Sequence, residues 1–307
     1  GLADAKNRAL ERLPQAVRDV LAQADLESEH ELAIAPLVAA TAAVPVKDRG
    51  LVLDTLYELR TPLTVITTRR LLAVEPIAQP HLWRYAKSIL KRAMLRFDFA
   101  TFGILAHRIE ILRKTESGTV ASVKSGYDGD TKKMRIFSKK TQLYMIRALW
   151  RYLVRLARHR PLWYAHAAAE VLVHYSPTEE DAPRALSGRY AGLYLFSRIV
   201  FGSSVRFKVD HRALRLPFKD SKSAKGPAGV REEAYPGAWD ASPDAYLRIL
   251  SGASLALVHE IGLRGVKAHP EILASAPNAT IVAMVGVTHP ATVDLGLAEL
   301  RRRFDPG

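Results

Sequence analysis

The chain has 307 residues, 48% of them hydrophobic and 25% charged, enough to bury a sizeable core, which excludes general disorder. Lys and Arg number 45 against 31 Asp and Glu, and the formal net charge of +14 favours polyanionic partners such as nucleic acid. Cysteine is absent, which excludes disulfides, thiolate metal sites and cysteine nucleophiles and fits a cytoplasmic setting. Residues 1–6 carry no secretory leader pattern, and no segment reaches the roughly 18 apolar residues of a membrane span. Gly1 in place of Met reads as a cleaved tag or an excised fragment, and the ending just after Arg301-Arg302-Arg303-Phe304 is what an excised fragment would show.

In chain order, Leu13-Pro14-Gln15-Ala16-Val17 opens a helix, with Pro near its first turn and Val17, Val20 and Leu21 at helical spacing. Thr61-Pro62 repeats the start signal, with Thr as N-cap and Pro as first helical residue. Residues 80–97 and 98–113 predict two more helices, with Asp98 as the N-cap between them. Phe99, Phe102, Leu105, Ile109 and Leu112 form a stripe that reads as packed core. Residues 115–138 and 203–242 are rich in Gly, Ser, Asp and Lys and predict long surface loops. Period-two alternation at 119–123 and 205–209 leaves room for a small β-hairpin inside a loop. Residues 139–202 between the loops predict basic helical hairpins.

Residues 243–307 carry an internal repeat. Pro243 aligns with Pro277, 34 positions on, and Leu247 then meets Ile281, Leu250 meets Met284, Gly252 meets Gly286, and Glu260-Ile261-Gly262-Leu263 meets Asp294-Leu295-Gly296-Leu297. Matched apolar positions around a matched glycine are what a repeated helix–turn–helix unit requires, and such units bury their apolar faces by stacking. Thr288-His289-Pro290-Ala291-Thr292-Val293-Asp294-Leu295-Gly296-Leu297-Ala298-Glu299-Leu300 resembles the inter-helix turn and second helix of a HEAT-type repeat. The stretch from Arg231-Glu232-Glu233 through Tyr235-Pro236-Gly237 to Trp239-Asp240 is similar to a segment that precedes such hairpins in large bacterial HEAT-type proteins. Asp294 departs from the family, which often places a basic residue there. The 34-residue period is shared with tetratricopeptide repeats, but their Trp, Gly and Tyr signature is missing. The resemblance implies a curved binding platform. The predicted fold is therefore all-α: one HEAT-like helical-hairpin solenoid over residues 1–307, with N-terminal helices to 114 and two C-terminal hairpins over 243–307.

The strongest electrostatic feature is residues 131–169, which contain no Asp or Glu. Lys132, Lys133, Arg135, Lys139 and Lys140 precede a helix predicted from about 141 to 158. On it Arg147, Arg151, Arg155 and Arg158 fall at spacings of four, four and three, one stripe, while Ile146, Leu149, Trp150, Leu153 and Ala157 face elsewhere. Guanidinium groups in a row suit phosphates along a backbone. A second basic group, Arg84, Lys87, Lys91, Arg92 and Arg96, lies on the helix at 80–97, and Lys219, Lys222 and Lys225 lie in the second loop. Trp150, Trp163, Tyr164, His166 and His174 cluster on a hairpin at 141–175, as hairpin packing or as faces for bases.

Signals for catalysis are weak. His259-Glu260 lacks the second His of a zincin and reads as a helix flank; Asp128-Gly129-Asp130 lacks the other ligands of a calcium loop; no phosphate-binding Gly-Lys-Ser/Thr loop and no Gly-x-Ser-x-Gly elbow occurs. No catalytic residue, metal ligand or cofactor is therefore nominated. The expected function is a non-catalytic platform that contacts nucleic acid or another polyanion through basic helix faces. The alternatives are a protein-interaction scaffold within a larger polypeptide and a DNA-repair glycosylase on a HEAT-like scaffold, whose functional residues do not map onto this chain.

Overall fold

A computed structural model describes residues 8–112, 120–124, 131–135, 137–179, 190, 192–208, 217–219 and 230–304. These residues are overwhelmingly helical, with one short hairpin. Where the sequence reads as one domain, the chain contacts group into two compact units: residues 1–108 with 112–143, and residues 109–111 with 144–307.

The first unit holds α1 (Gln15–Gln23), α2 (Glu31–Ala42), α3 (Val46–Leu59), α4 (Pro62–Val74), α5 (Pro80–Arg96) and most of α6 (Phe99–Ile111). The expected caps are in place. The Thr61 hydroxyl accepts the Thr64 N–H at 3.3 Å, and the Asp98 carboxylate accepts the Thr101 N–H at 3.1 Å. Helix α3 packs on α2, α4 and α5, and its apolar face joins Val17, Leu21, Ile34, Leu37 and Leu63 in one core. At Gly50 a Cβ would stand 2.4 Å from the His81 carbonyl, so only glycine lets α3 lie this close to the start of α5. Inside the expected loop at 115–138, β1 (Val120–Lys124) pairs antiparallel with β2 (Thr131–Arg135), Val120 opposite Arg135. Asp128 and Asp130 lie outside the described residues.

The second unit holds most of α7 (Lys139–His159), then α8 (Pro161–Leu172), α9 (Tyr194–Phe201), α10 (Pro236–Asp240), α11 (Ala245–Gly252), α12 (Ala256–Ala268), α13 (Glu271–Ser275), α14 (Asn278–Val285) and α15 (Pro290–Phe304). Helix α8 packs against α9, α10 and α11; α11 packs on α12 and α14, and α14 on α15. The aligned segments make equivalent contacts. A Cβ at Gly262 would come 2.7 Å from the Leu250 side chain, and one at the aligned Gly296 would come 3.3 Å from Cβ of the aligned Met284. In both hairpins a glycine of the second helix thus admits the same apolar residue of the first.

Two expectations need correction here. Residues 230–242 are not a surface loop: Trp239 is fully buried and stacks on Tyr246 at 5.3 Å, and Glu233 is buried beside Arg231. Its Gly and Pro masked an aromatic and an alanine placed to pack on α8. Residues 205–208 form no full strand: an isolated antiparallel bridge joins Phe207 to Phe218, with the Lys208 N–H on the Pro217 carbonyl at 2.9 Å and the Lys219 N–H on the Arg206 carbonyl at 2.8 Å, and residue 209 lies outside the described residues.

Candidate functional site

Helix α7 is amphipathic in the simplest sense. Ile146, Leu149, Leu153 and Leu156 are buried, and this fixes the opposite face outward. At about 100° per residue, Arg147, Arg151, Arg155 and Arg158 fall within roughly 80° of one another. All four line one cleft of about 580 Å³. Val154 and Trp150 of α7 line it too, so Trp150 does not face away from the arginines as its place on the helical wheel suggested. It lies at the edge of the stripe, where the ring reaches the same hollow.

The opposite wall comes from α9 and from the chain leading into α10. Tyr194, Arg198, Gly202 and Tyr235 complete the cleft. A buried carboxylate fixes α9: Glu110, from the last turn of α6, accepts the N–H of Leu195 at 2.6 Å and of Phe196 at 3.2 Å, and also the Tyr175 hydroxyl. A negative charge at a helix N-terminus is favourable, and here it closes amide donors that would otherwise be orphaned. Burial, reinforced by the Glu110 charge, pushes the Tyr175 phenol well above its ordinary pKa. The Tyr175 ring packs edge-on to Phe196 at 4.8 Å. Helix α9 so held presents Arg198, only 3% exposed, with its guanidinium carbon 4.1 Å from the Tyr194 ring centre.

Tyr235 reaches the cleft because its strand of chain is pinned along α9. The Ala234 N–H donates to the Ile199 carbonyl at 2.8 Å, and the Ser203 N–H donates to the Glu232 carbonyl at 3.0 Å. Gly202 makes the approach possible, since a Cβ there would stand 2.5 Å from Cβ of Ala234. Tyr235 itself has φ 55° and ψ 56°, immediately before Pro236. Its ring lies 6.4 Å from Trp150 and 5.2 Å, edge-on, from the buried Tyr164.

Several arginines elsewhere in this unit are matched with acids, Arg206 with Glu232, Arg248 with Glu170, Arg231 with Glu233 and Asp240, and Arg303 with Glu299, while Arg264 and Arg301 form no ion pair among the described residues. Among the described residues Arg151, Arg155 and Arg158 have no carboxylate partner. Arg151 lies 5.8 Å from the Tyr144 ring centre. Three exposed cations, with Arg147 and Arg198 beside them, therefore create a concentrated positive field in a concave, partly apolar site.

The other nominated cations fall outside this cleft. Lys139 and Lys140 are exposed on the first turn of α7, which groups with the first unit; Lys139 donates to Gln142 at 2.9 Å. Arg84, Lys87 and Lys91 belong to α5. Arg84 donates to the Tyr85 hydroxyl at 2.6 Å, Arg92 pairs with Asp54, and Arg96 lies 5.2 Å from the Tyr57 ring centre. Lys219 is exposed, and Lys222 and Lys225 lie outside the described residues.

Sequence reasoning missed Tyr194, Arg198, Gly202 and Tyr235. The Tyr194/Arg198 pair at i, i+4 was visible, but nothing local places α9 opposite α7. His259 also differs from its reading as a helix flank. It is fully buried: Nε2 bonds the Ala253 carbonyl at 2.9 Å, Nδ1 bonds the Thr292 hydroxyl at 3.0 Å, and the ring stacks on His289 at 4.7 Å. Burial lowers its pKa. Among the described residues no group of three or more His, Asp or Glu could hold a metal ion, and no helix is long and apolar enough to cross a membrane. No protein family, no curated protein and no solved structure matches the chain at a significant level.

Proposed function

We propose that this chain is a HEAT-like helical-repeat binding protein that holds nucleic acid through its phosphates in the cleft between α7 and α9. The observation that carries this reading is the row of Arg151, Arg155 and Arg158, without carboxylate partners among the described residues, in a hollow that Arg147 and Arg198 also line. Arginine presents a planar fork of donors that matches phosphate in bidentate fashion, and a row of such forks tracks a backbone. The equivalent hairpins α11–α12 and α14–α15, in contact through α11 and α14, support the repeat reading.

The test is fluorescence anisotropy with short labelled DNA and RNA, single-stranded and duplex, across a salt series. The expected result is tight binding at low salt, with a log–log salt slope of several units. The double variant Arg151→Glu with Arg155→Glu lowers both affinity and slope. A double variant that binds every probe as well as the parent refutes the cleft as the site.

An apolar groove of about 400 Å³ in the first unit, lined by Leu10, Leu21, Leu26 and Leu59 together with Arg18 and Thr64, favours a second reading as a protein-interaction scaffold. Capture of a protein partner that is lost on Leu26→Glu, with no nucleic-acid binding at low salt, decides for that reading.

A further inference from the structure

We infer that the cleft is built for single-stranded nucleic acid, with phosphates on the arginine row and an unstacked base against Trp150 and Tyr235. This rests on the polyanion reading above and narrows its ligand.

Size is the first reason. A hollow of about 580 Å³ is of the order of a small-ligand pocket. A duplex lies across such a hollow and touches its rim, whereas a strand with splayed bases enters it. The pitch of the row agrees. Successive guanidinium groups four residues apart on α7 are separated by about 6 Å along the helix axis, a step that one sugar–phosphate unit spans.

Composition is the second reason. A site for phosphates alone needs no aromatic rings, yet Trp150, Tyr194 and Tyr235 line this one. Aromatic faces beside arginines are the means by which single strands are held without a sequence preference, because every base has a π face.

The backbone of Tyr235 is the third and most specific reason. Its φ of 55° lies in the left-handed region, rare for a bulky side chain, and the following Pro236 disfavours helical ψ values before it. Glycine would take this conformation freely. Instead a tyrosine stands there, held by the Ala234 and Ser203 hydrogen bonds, with its ring at the cleft beside Trp150. Strain of this kind persists where the surrounding structure over-determines it; Arg60 and Phe97 adopt it to end helices, whereas at Tyr235 it begins one and sets a ring in the cleft.

The experiment uses the full chain and four probes: labelled oligothymidylate, the same sugar–phosphate strand without bases, a duplex of equal length, and thymidine monophosphate as competitor. Oligothymidylate is expected to bind about tenfold or more tighter than the abasic strand and the duplex, and to quench tryptophan fluorescence. Trp150→Leu and Tyr235→Leu, which keep apolar bulk without a π face, are each expected to lower oligothymidylate affinity about 5- to 100-fold. Both are expected to lower abasic-strand affinity much less than oligothymidylate affinity, and unchanged circular dichroism spectra show that the fold survives. Tyr235→Gly removes ring and strain together and is expected to lose strand affinity by a similar factor. Equal binding of all three polymers, unaffected by Trp150→Leu, overturns the base seat while keeping the polyanion reading. Binding of none of them at low salt overturns both. Thymidine monophosphate competing as well as the oligomer, nucleotide for nucleotide, overturns the strand in favour of a mononucleotide pocket.

Discussion

Helices α5 and α7 look alike on paper, each with a cluster of cations along one face, yet the fold brings an acid to one α5 cation, leaving Lys87 and Lys91 exposed, and brings none to Arg151, Arg155 and Arg158. On α5, Arg92 meets the Asp54 carboxylate and Arg92 and Arg96 flank the Tyr57 ring, at 5.3 and 5.2 Å from its centre. Those guanidinium groups join α5 to α3. On α7, Arg151, Arg155 and Arg158 meet no carboxylate among the described residues and open onto a cleft. A basic stripe therefore says little by itself. What counts is whether the fold brings an acid to it, because an isolated row of like charges repels itself until an outside anion arrives.

The largest expected effect breaks this comparison most directly. Arg151→Glu with Arg155→Glu should weaken nucleic-acid binding by about 100-fold or more at low salt and reduce the log–log salt slope by about 2. Lys87→Glu with Lys91→Glu, the same charge change on α5, should alter affinity by less than about threefold, since neither lysine lines the cleft. Anisotropy across salt measures both, and comparable losses for the two pairs would dissolve the contrast.

Next comes the structural role of α5. Arg92→Ala should destabilise the first unit by about 1–3 kcal/mol, because Asp54 is left without its cation, and should leave binding unchanged. Burial already raises the Asp54 pKa against the pull of Arg92, so the lone acid is poorly tolerated. Denaturant melts beside anisotropy read the two effects apart.

Gly202→Ala sharpens the α7 side. A Cβ 2.5 Å from that of Ala234 must push the 232–235 segment off α9, so Tyr235 shifts. The expected outcome is a stability loss of about 1–2 kcal/mol with a severalfold loss of strand binding. Unchanged binding would show that the cleft does not need Tyr235 in place.

The smallest effect concerns pH. Glu299, bonded to Arg302 and Arg303, has its pKa lowered to about 2. A carboxylate more acidic in the folded than in the unfolded chain stabilises the fold above the unfolded pKa of about 4.3, and loses that contribution as pH falls towards 2. Thermal melts from pH 5 to 2 should therefore show a shallower decline for Glu299→Gln than for the parent, with no change at the arginine cleft.

Much of this was legible in the sequence because it is local. Thr61 and Asp98 cap the helices their spacing announced, and the period of Leu149 and Leu153 placed Arg147 to Arg158 on one outward face. The aligned glycines 262 and 296 both lie where close packing leaves little room for a Cβ, whereas the aligned Gly252 and Gly286 differ, a Cβ at Gly286 meeting nothing nearer than 3.5 Å. The tertiary structure alone decided which cations are neutralised and what stands opposite the rest. Asp54 lies 38 positions from Arg92, and Glu110 lies 85 from the amide of Leu195 it holds. Tyr235 enters the cleft through a glycine 33 positions away. Helical period and capping act over a few residues, so a sequence shows them directly. Pairing of distant segments depends on how whole faces pack, and no local pattern in this chain records it.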